Sequence, residues 1–484
     1  MDFNTDILII GAGITGCAVS RELSRYCSSV TVIDRASDVA EGATKANSGI
    51  VHAGYDALPG TQKAFYNVRG AAMFPDLCRE LGVPYKRCGA LVIALDDRDM
   101  AALDELYARG LKNGVPGLEI IDRDTVLSME PNLNPDVKAA LYVPGSAIVS
   151  PYELAFAMAD DAALNGVVFR LREEVLSVEK TGGGFIVKTN CGSYTCRVLV
   201  NCSGSSGAGI HNLLSSVKLS MTHRRGQYYL LDRSEAQPFS RTVFQCPSAM
   251  GKGVLITPTV HGNLLLGPTA EDIPDPLDTA TTSEGLETIL QKAARTWPGL
   301  SVRNNITNFS GIRAHLSTKD FSVGSVDDCP GCFEAIGIES PGLSSAPAIG
   351  SELAARVSEY LSLTRKASLV PFDPPRVPFH DMSDEQRAAA VASDSAYGNI
   401  ICRCEMVTEA EIRRAINRPV GARSIDGVKR RTRAGMGRCQ GGFCMPRVAA
   451  ILSEETGIPL QEITKDSENS RILCDSVERF LKGI

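Results

Sequence analysis

The sequence lacks the long apolar runs and the excess of positive charge that would direct it to a membrane or to nucleic acid. No run of about 18 apolar residues could span a bilayer. The N-terminal residues MDFNTD have neither the basic nor the apolar segment of a secretory signal. The formal net charge is −6, so the overall balance does not attract phosphate backbones or acidic lipid. We therefore expect a cytoplasmic protein without a direct membrane span and without a nucleic-acid partner.

A disulfide framework is also missing from the sequence. The 15 cysteines are odd in number and scattered, and disulfides are rare in a reducing compartment. We expect most of them, such as Cys17, Cys78 and Cys202, to be small packing residues. With 484 residues, of which 44% are hydrophobic and 22% charged, the chain has the composition of a globular protein and the length of roughly two or three domains.

A glycine turn lies near the N-terminus. Residues 6–10 form an apolar strand, Gly11-x-Gly13-x-x-Gly16 follows it and opens a helix, and Asp34 ends the next strand. This context predicts a dinucleotide site, because the glycines let a pyrophosphate approach, the helix amides hold its charge and the acid accepts hydrogen bonds from a ribose. A glycine turn without a ligand is the alternative. The predicted contacts are Gly11, Gly13, Ile14, Thr15, Gly16, Asp34 and Arg35.

A stretch of small residues, 41–54, follows and could wrap a flat ring system. No second Gly-x-Gly-x-x-Gly occurs, which favours one permanently held nucleotide. Together with segments 199–204, 311–313 and 337–346, this stretch resembles the FAD-dependent oxidoreductases of the D-amino-acid oxidase and glycerol-3-phosphate dehydrogenase superfamily. The resemblance implies further FAD contacts at Ala43, Thr44, Asn47, Ser48, Gly49, Val175, Ser203, Gly204, Gly311, Gly342, Leu343, Ser344 and Ser345.

Four cysteines near the C-terminus form two close pairs, Cys402 with Cys404 and Cys439 with Cys444. Such pairs indicate a metal site with four thiolate ligands, and both zinc and an iron–sulfur cluster would suit four thiolates. The pattern resembles the bacterioferritin-associated ferredoxin type of 2Fe-2S domain, which favours the cluster and leaves structural zinc as the alternative. The order of the two domains resembles the catalytic subunits of anaerobic glycerol-3-phosphate dehydrogenases.

The segment that contains these cysteines is basic. Residues 399–447 include one lysine and ten arginines against four acids. We expect five of these cations to crowd the cluster, where they could offset thiolate charge or bind an acidic partner. A nucleic-acid role is the alternative, but no series of aromatic residues accompanies the basic stretch. The five are Lys429, Arg430, Arg431, Arg433 and Arg438.

A further thiol pair, Cys329-Pro-Gly-Cys332, could form a redox dithiol or a metal site. No partner pair follows it at ligand spacing, so a loop turn with two packed thiols is the favoured interpretation.

Oxidation of a carbinol at a flavin requires a base for the hydroxyl proton and a cation that fixes the acid group of the substrate. Arg313 is the predicted clamp for a phosphate or carboxylate, with a surface salt bridge as the alternative. Among the six histidines, His52 and His261 rank above His223 and His315 as candidate bases. A structural core histidine remains the alternative for His52.

We therefore predict an α/β protein with a Rossmann-type FAD-binding domain, an antiparallel-sheet substrate domain and a small, mainly helical iron–sulfur domain. The expected ranges are 1–365 for the interleaved flavin and substrate domains, 366–398 for a proline-rich linker, 399–450 for the 2Fe-2S domain and 451–484 for a helical extension. The predicted reaction oxidises sn-glycerol 3-phosphate to dihydroxyacetone phosphate and passes electrons through the cluster to a redox partner. The alternatives are a small 2-hydroxy acid such as L-2-hydroxyglutarate, an amine, or a noncatalytic electron-transfer subunit.

Overall fold

The computed structural model describes residues 1–233, 238–247, 253–375 and 377–473. Its α-helices are α1 (Ile14–Leu23), α2 (Gln62–Leu81), α3 (Asp97–Lys112), α4 (Arg123–Met129), α5 (Pro151–Leu164), α6 (Gly207–Leu214), α7 (Ser283–Thr296), α8 (Gly342–Leu361), α9 (Asp384–Ser393), α10 (Glu409–Ile416), α11 (Ile425–Thr432) and α12 (Met445–Thr456). Its strands are β1 (Asp2–Ile10), β2 (Val30–Asp34), β3 (Ile50–Val51), β4 (Tyr85–Lys86), β5 (Ala90–Ala94), β6 (Glu119–Asp122), β7 (Ala139–Val143), β8 (Ala147–Val149), β9 (Val168–Leu171), β10 (Val175–Thr181), β11 (Gly184–Thr189), β12 (Ser193–Asn201), β13 (Met221–Leu231), β14 (Thr242–Gln245), β15 (Leu255–Pro258), β16 (Leu264–Gly267), β17 (Glu271–Ile273), β18 (Asn305–Leu316), β19 (Ser322–Ser325), β20 (Cys332–Ile336), β21 (Ile400–Cys402) and β22 (Val407–Thr408).

The first large sheet has the strand order β10-β11-β12-β1-β2-β9, with β20 beside β12 and β19 beside β20. β1 runs parallel to both β2 and β12. Ile7, Leu8 and Ile9 are fully buried, because helices cover both faces of a parallel sheet. α1 packs against α5 and α8. This arrangement is the Rossmann-type layer that the sequence predicts.

The second large sheet is mainly antiparallel and has the order β17-β13-β16-β15-β14-β5-β7-β6, with β18 beside β13. β13 pairs with β18 along its whole length, and Gly226 lies opposite Gly311 in this register. Strands from residues 90–143 extend the sheet on its other side. It therefore corresponds to the predicted substrate domain, and the fold class is confirmed.

Local signals explain where the helices next to the site begin and end. The Thr61 hydroxyl accepts a hydrogen bond from the N–H of Ala64 at the start of α2, and Gly82 ends this helix in the left-handed conformation. The Asp96 carboxylate accepts the N–H groups of Arg98 and Asp99 at the start of α3. Such N-caps and a C-terminal glycine are typical helix boundaries.

The C-terminal module has a hydrophobic core of its own. β21, β22 and helices α10, α11 and α12 enclose Ile412, Val428, Val448 and Leu452, which are 0–1% exposed. α10 starts with a capping box between Thr408 and Glu411. The module is thus the small, mainly helical unit that the sequence predicts.

The segments on either side of this module contain regular structure, and the expected domain ranges stay predictions. The expected linker 366–398 contains α9, which starts with a capping box between Ser383 and Gln386. The expected boundary after residue 450 lies inside α12, which ends at Gly457. Residues 474–484 of the predicted extension lie outside the described part of the chain. Within the described part, no helix is both long enough and apolar enough to cross a membrane.

Candidate functional site

The glycine turn connects β1 to α1, as its pattern predicts. Gly11 has a φ of +104°, and a Cβ atom there would lie 2.4 Å from the carbonyl oxygen of Cys202. A Cβ atom at Gly16 would lie 1.9 Å from the carbonyl oxygen of Gly11. Only glycine permits this close approach of helix and strand. Gly13 is the N-cap of α1 and offers no side-chain acceptor, so the positive end of the helix dipole suits an anionic phosphate.

Asp34 lies directly beside this turn at the end of β2. Its carboxylate oxygens accept the N–H groups of Ala12 at 2.7 Å and Ala36 at 2.8 Å. Burial raises the pKa of Asp34, although both hydrogen bonds act in the opposite direction. The Thr44 hydroxyl accepts the N–H of Ile14 at 2.9 Å. The predicted ribose acceptor and the predicted phosphate helix are therefore adjacent.

The remaining residues predicted on the nucleotide side lie around this turn. Ser203 follows β12, and its hydroxyl donates to Asn201 at 2.7 Å. The N–H of Glu173, two residues before Val175, donates to the carbonyl of Asp34 at 2.9 Å. The other three are Thr15 on α1, the exposed Arg35 after β2, and Gly204 next to Ser203.

The small-residue stretch folds back on itself between β2 and β3. The Asn47 side chain donates to the carbonyl of Ala43 at 3.0 Å and accepts the N–H of Gly49 at 2.8 Å. β18 crosses this stretch so closely that a Cβ atom at Gly311 would lie 1.9 Å from the carbonyl oxygen of Ala46. The second sheet therefore lies directly over the segment that resembles a flavin-binding loop.

The first residues of α8 connect to the same region. The buried Ser344 hydroxyl accepts the N–H of His52 at 2.8 Å and donates to the carbonyl of Ile50 at 3.4 Å. The Ser345 hydroxyl donates to the carbonyl of Pro341 at 3.0 Å. The remaining predicted contacts on this helix are Gly342 and Leu343. The structure thus brings the start of α8 next to His52, although the two are about 290 residues apart in sequence.

Arg313 lies on β18, on the same face as Gly311. Tyr228, on the paired strand β13, contacts the side chains of both Arg313 and Ser48. Burial raises the pKa of Tyr228, and the charge of Arg313 acts against this shift. One guanidinium and two hydroxyl groups therefore meet beside the 43–49 segment, which suits a ligand with an anionic group. Tyr228 is not singled out as a site residue by the sequence analysis. The alternation of side chains along β13 could have identified it, because it places Tyr228 on the same face as Gly226.

His52 and His261 lie in different surroundings. The ring of His52 lies 5.7 Å from that of Phe244, and a small depression opens beside His52 and Asn67. The Nε2 atom of His261 lies 2.6 Å from a Glu153 carboxylate oxygen. Burial favours the neutral acid, but the charge and hydrogen bond of His261 lower the pKa of Glu153 below its usual value.

His261 is therefore held by a carboxylate near the C-terminal module, where Asn263 accepts a hydrogen bond from Arg433 at 3.1 Å. The two lower-ranked histidines also have structural partners. His223 contacts the carbonyl of Ser205 at 3.0 Å, and His315 contacts Glu339 at 2.8 Å. A role in catalysis stays a prediction for His52 and His261.

The four cysteines of the C-terminal module converge. The sulfur of Cys404 lies 3.8 Å from that of Cys402 and 3.9 Å from that of Cys439. The thiol of Cys444 contacts Cys402; this contact, together with the N–H groups of Gly435 and Glu405, lowers the pKa of Cys402 to about 5. The same contact raises the pKa of Cys444, and burial raises the pKa of Cys404 to about 12, so in the absence of a metal the negative charge rests on Cys402. Sulfurs that receive N–H donors are stabilised as thiolates, the form that binds iron.

Close approach of the chain to the Cys404 sulfur depends on a glycine. A Cβ atom at Gly437 would lie 2.6 Å from the Cys404 sulfur, so a side chain there would fill the position beside it. Cys404 is exposed, and the neighbouring Phe443 is 85% exposed. The cysteine site therefore reaches the protein surface.

The cations of this module do not all surround the cysteines, which corrects one expectation. Arg433 does bind Glu405 beside Cys404, at 2.8 Å. Arg430 and Arg431, in contrast, turn toward carboxylates of the flavin domain, and Arg438 pairs with Asp232 at 2.9 Å. The half-buried Lys429 lies on α11. Charge pairing across the domain contact directs these arginines, and a sequence pattern does not contain that information.

Cys329 lies in the loop between β19 and β20, Cys332 is the first residue of β20, and both are 0–1% exposed. A hydrogen bond from Cys332 lowers the pKa of Cys329 to about 7, and the pKa of Cys332 is raised by the same contact. A packed pair of thiols, the favoured interpretation, stays a prediction.

Comparison with known proteins assigns the larger part of the chain. The family model described as "FAD dependent oxidoreductase" matches residues 6–356. The chain belongs to this family. A second family model, "BFD-like [2Fe-2S] binding domain", matches residues 400–454. This FAD-dependent oxidoreductase therefore uses FAD and a [2Fe-2S] cluster. The N-terminus of α1 after the glycine turn and the neighbouring cysteine thiols are the donor types that suit these two groups.

Among its relatives, the chain is 47% identical to a glycerol 3-phosphate dehydrogenase of Caloramator mitchellensis over 97% of this chain and 98% of that protein. It is 30% identical to a glycerol 3-phosphate oxidase of Mycoplasma pneumoniae over 72% of this chain and 93% of that protein. The solved structure of L-alpha-glycerophosphate oxidase from Mycoplasma pneumoniae with FAD bound matches with a TM-score of 0.73 and 28% identity, covering 77% and 99% of the two chains.

Proposed function

We propose that this oxidoreductase converts sn-glycerol 3-phosphate to dihydroxyacetone phosphate and passes the electrons through its [2Fe-2S] domain to a partner protein. The observation that carries the proposal is the similarity to the glycerol 3-phosphate dehydrogenase of Caloramator mitchellensis. The two proteins are 47% identical along 97% of this chain, which includes both domains. In this reaction the substrate loses a hydride from C2 and a proton from its hydroxyl group, and a carbonyl group forms. FAD, when bound, supplies the acceptor for the hydride.

On the nucleotide side, we assign the pyrophosphate to the glycine turn and the N-terminus of α1. We assign the ribose to Asp34, which already accepts two N–H groups beside that turn. These contacts are all noncovalent, so acid precipitation of the protein should release the yellow flavin into the supernatant. Flavin that stays with the pellet would contradict it.

On the substrate side, we assign the phosphate to Arg313. Its guanidinium offers a planar pair of donors, and the hydroxyl groups of Tyr228 and Ser48 lie beside it. We assign proton acceptance from the substrate hydroxyl to the imidazole of His52, whose backbone N–H donates to the Ser344 hydroxyl at the start of α8. An imidazole is a common proton acceptor for a step of this kind.

The partner is a one-electron acceptor protein that binds where the cysteine site reaches the surface. Residues 400–404 and 435–447 contain three arginines and no Asp or Glu; Arg438 is paired with Asp232, and Phe443 of the second segment is 85% exposed. An acidic carrier with an apolar centre complements this surface. Phe443→Ala should raise the KM for an acidic ferredoxin but not for a small dye acceptor; Leu213→Ala, on the exposed part of α6, is the control.

The experiment that tests the reaction is anaerobic mixing of the purified protein with single compounds while the visible absorbance of the oxidised flavin is recorded. Loss of this absorbance with sn-glycerol 3-phosphate supports the proposal. Loss of this absorbance only with L-2-hydroxyglutarate, or only with an amino acid, would show that this compound is the substrate and would contradict the proposal. No loss with any of them would favour a noncatalytic electron carrier.

We also place the protein in the cytoplasm, with any membrane contact made through partner subunits. The support is that none of the 14 cysteines of the described residues is in a disulfide, as expected in a reducing compartment. Cell fractionation with and without high salt tests this placement.

A further inference from the structure

The flavin domain and the C-terminal module meet at the segment that follows Asp34. We name residues 35–45 the ribose loop. Arg431 binds both carboxylate oxygens of Asp38 in this loop, at 2.6 and 2.7 Å, and its guanidinium lies 3.8 Å from the ring centre of Phe156. Arg430 binds Glu41 of the same loop. The side chains of both arginines and of Asp38 are only 3–7% exposed.

The contact is close and extends along the ribose loop. A Cβ atom at Gly427 of α11 would lie 3.0 Å from a carboxylate oxygen of Asp38. Asp466, which Arg430 binds at 3.0 Å, also accepts a hydrogen bond from Lys45 at 2.8 Å. Its carbonyl accepts the Ser37 hydroxyl at 2.7 Å. The module contacts the middle of the ribose loop, and Asp466, which follows α12, contacts its beginning and its end.

Residues assigned to FAD binding lie at both ends of the ribose loop. It starts immediately after Asp34, the assigned ribose acceptor, and it contains Thr44, which accepts the first N–H of α1. A shift of this loop moves both groups relative to the glycine turn.

The other end of α11 leads directly to the cysteines. After Thr432 the chain turns at Arg433, which has a φ of +70° and binds Glu405 beside Cys404. Two residues later, the N–H of Gly435 points at the sulfur of Cys402. One helix of eight residues thus connects the cluster site to the ribose loop.

We propose that α11 couples the two cofactor sites, so that an occupied cluster site increases the affinity for FAD. With the cluster bound, the turn after α11 is fixed, Arg430 and Arg431 hold the ribose loop, and the loop holds Asp34 and Thr44 in position. Separation of these buried pairs would leave uncompensated charges, which is unfavourable. By linkage, FAD must stabilise the cluster site by the same factor. The inference rests on the FAD and cluster sites proposed above.

The test uses the full-length protein and measures the dissociation constant of FAD without substrate. Arg431→Met should weaken FAD binding by at least about fivefold, the lower range of coupling between sites, and iron and acid-labile sulfide should be retained. Arg431→Lys keeps a positive charge beside Asp38, so it should disturb the fold less and should weaken FAD binding less than Arg431→Met. Arg413→Met is the matched control, because Arg413 pairs only with carboxylates of its own module in the described structure, and its FAD affinity should equal that of the wild type.

A second arm removes the cluster. Cys439→Ser should weaken FAD binding by a similar factor. The double variant with Arg431→Met and Cys439→Ser should bind FAD about as weakly as either single variant. Unchanged FAD affinity in either single variant would overturn the coupling, even if its melting temperature fell, because α11 would then only join the domains. Since no substrate is present, these results are independent of whether sn-glycerol 3-phosphate is oxidised.

Discussion

Replacement of Arg313 by lysine tests the assigned phosphate clamp most directly. Arg313 lies on β18 beside Tyr228 and Ser48, and in the described structure its Nη2 atom lies 3.5 Å from the carbonyl oxygen of Thr269. Lysine keeps the positive charge but cannot present two parallel donors. Flavin content should stay unchanged, because the glycine turn and Asp34 lie in the other sheet.

The expected magnitude follows from the hydrogen bond that lysine cannot make. A hydrogen bond to a charged group contributes about 1.5–3 kcal/mol. Since about 1.4 kcal/mol corresponds to a tenfold change in affinity, the KM for sn-glycerol 3-phosphate should rise about 10- to 100-fold. If the clamp acts equally on the bound substrate and on the transition state, kcat changes little.

The assay is steady-state reduction of a dye under anaerobic conditions over a range of substrate concentrations. Arg225→Lys provides the control, because Arg225 is on β13 but points to the opposite face, where it binds Glu271 and Asp278. Its KM should stay within about twofold of the wild-type value, as expected for a residue that does not contact substrate. A KM for Arg313→Lys as low as that of this control would refute the clamp.

Further predictions concern single groups in the other sites. Gly16→Ala should abolish FAD retention, because its Cβ atom would lie 1.9 Å from the Gly11 carbonyl oxygen; normal flavin content after purification would contradict the turn. Metal analysis should give about two irons and two sulfides per chain, whereas one zinc without sulfide would favour the structural site. Gly437→Ala should lower the iron content, since its Cβ atom would lie 2.6 Å from the Cys404 sulfur, while Gly442→Ala, with its nearest contact at 3.2 Å, should not. The pKa of Glu153 is lowered in the folded protein. Its carboxylate therefore stabilises the fold at pH values above the usual carboxyl pKa. This stabilisation is lost as the pH falls through the lowered pKa. Glu153→Gln should therefore reduce the free energy of unfolding by urea more at about pH 7 than at about pH 3; an equal reduction would count against the pair with His261.

The sequence alone was sufficient for the features whose chemistry is local. Gly11, Gly13 and Gly16 predict a nucleotide turn because a tight strand-to-helix turn restricts the residue types at consecutive positions. The cysteine pairs predict a thiolate site for a similar reason, since ligands of one cluster are commonly close in sequence.

Only the tertiary structure decided which distant groups meet. The contacts of Tyr228 with Arg313 and Ser48 depend on the register of β13 against β18 and on the segment beneath them. The direction of Arg430 and Arg431 depends on carboxylates almost 400 residues away in sequence. Such pairs leave no periodic trace in the chain, because they are fixed by how two folded units pack and by the high cost of a buried charge without a partner.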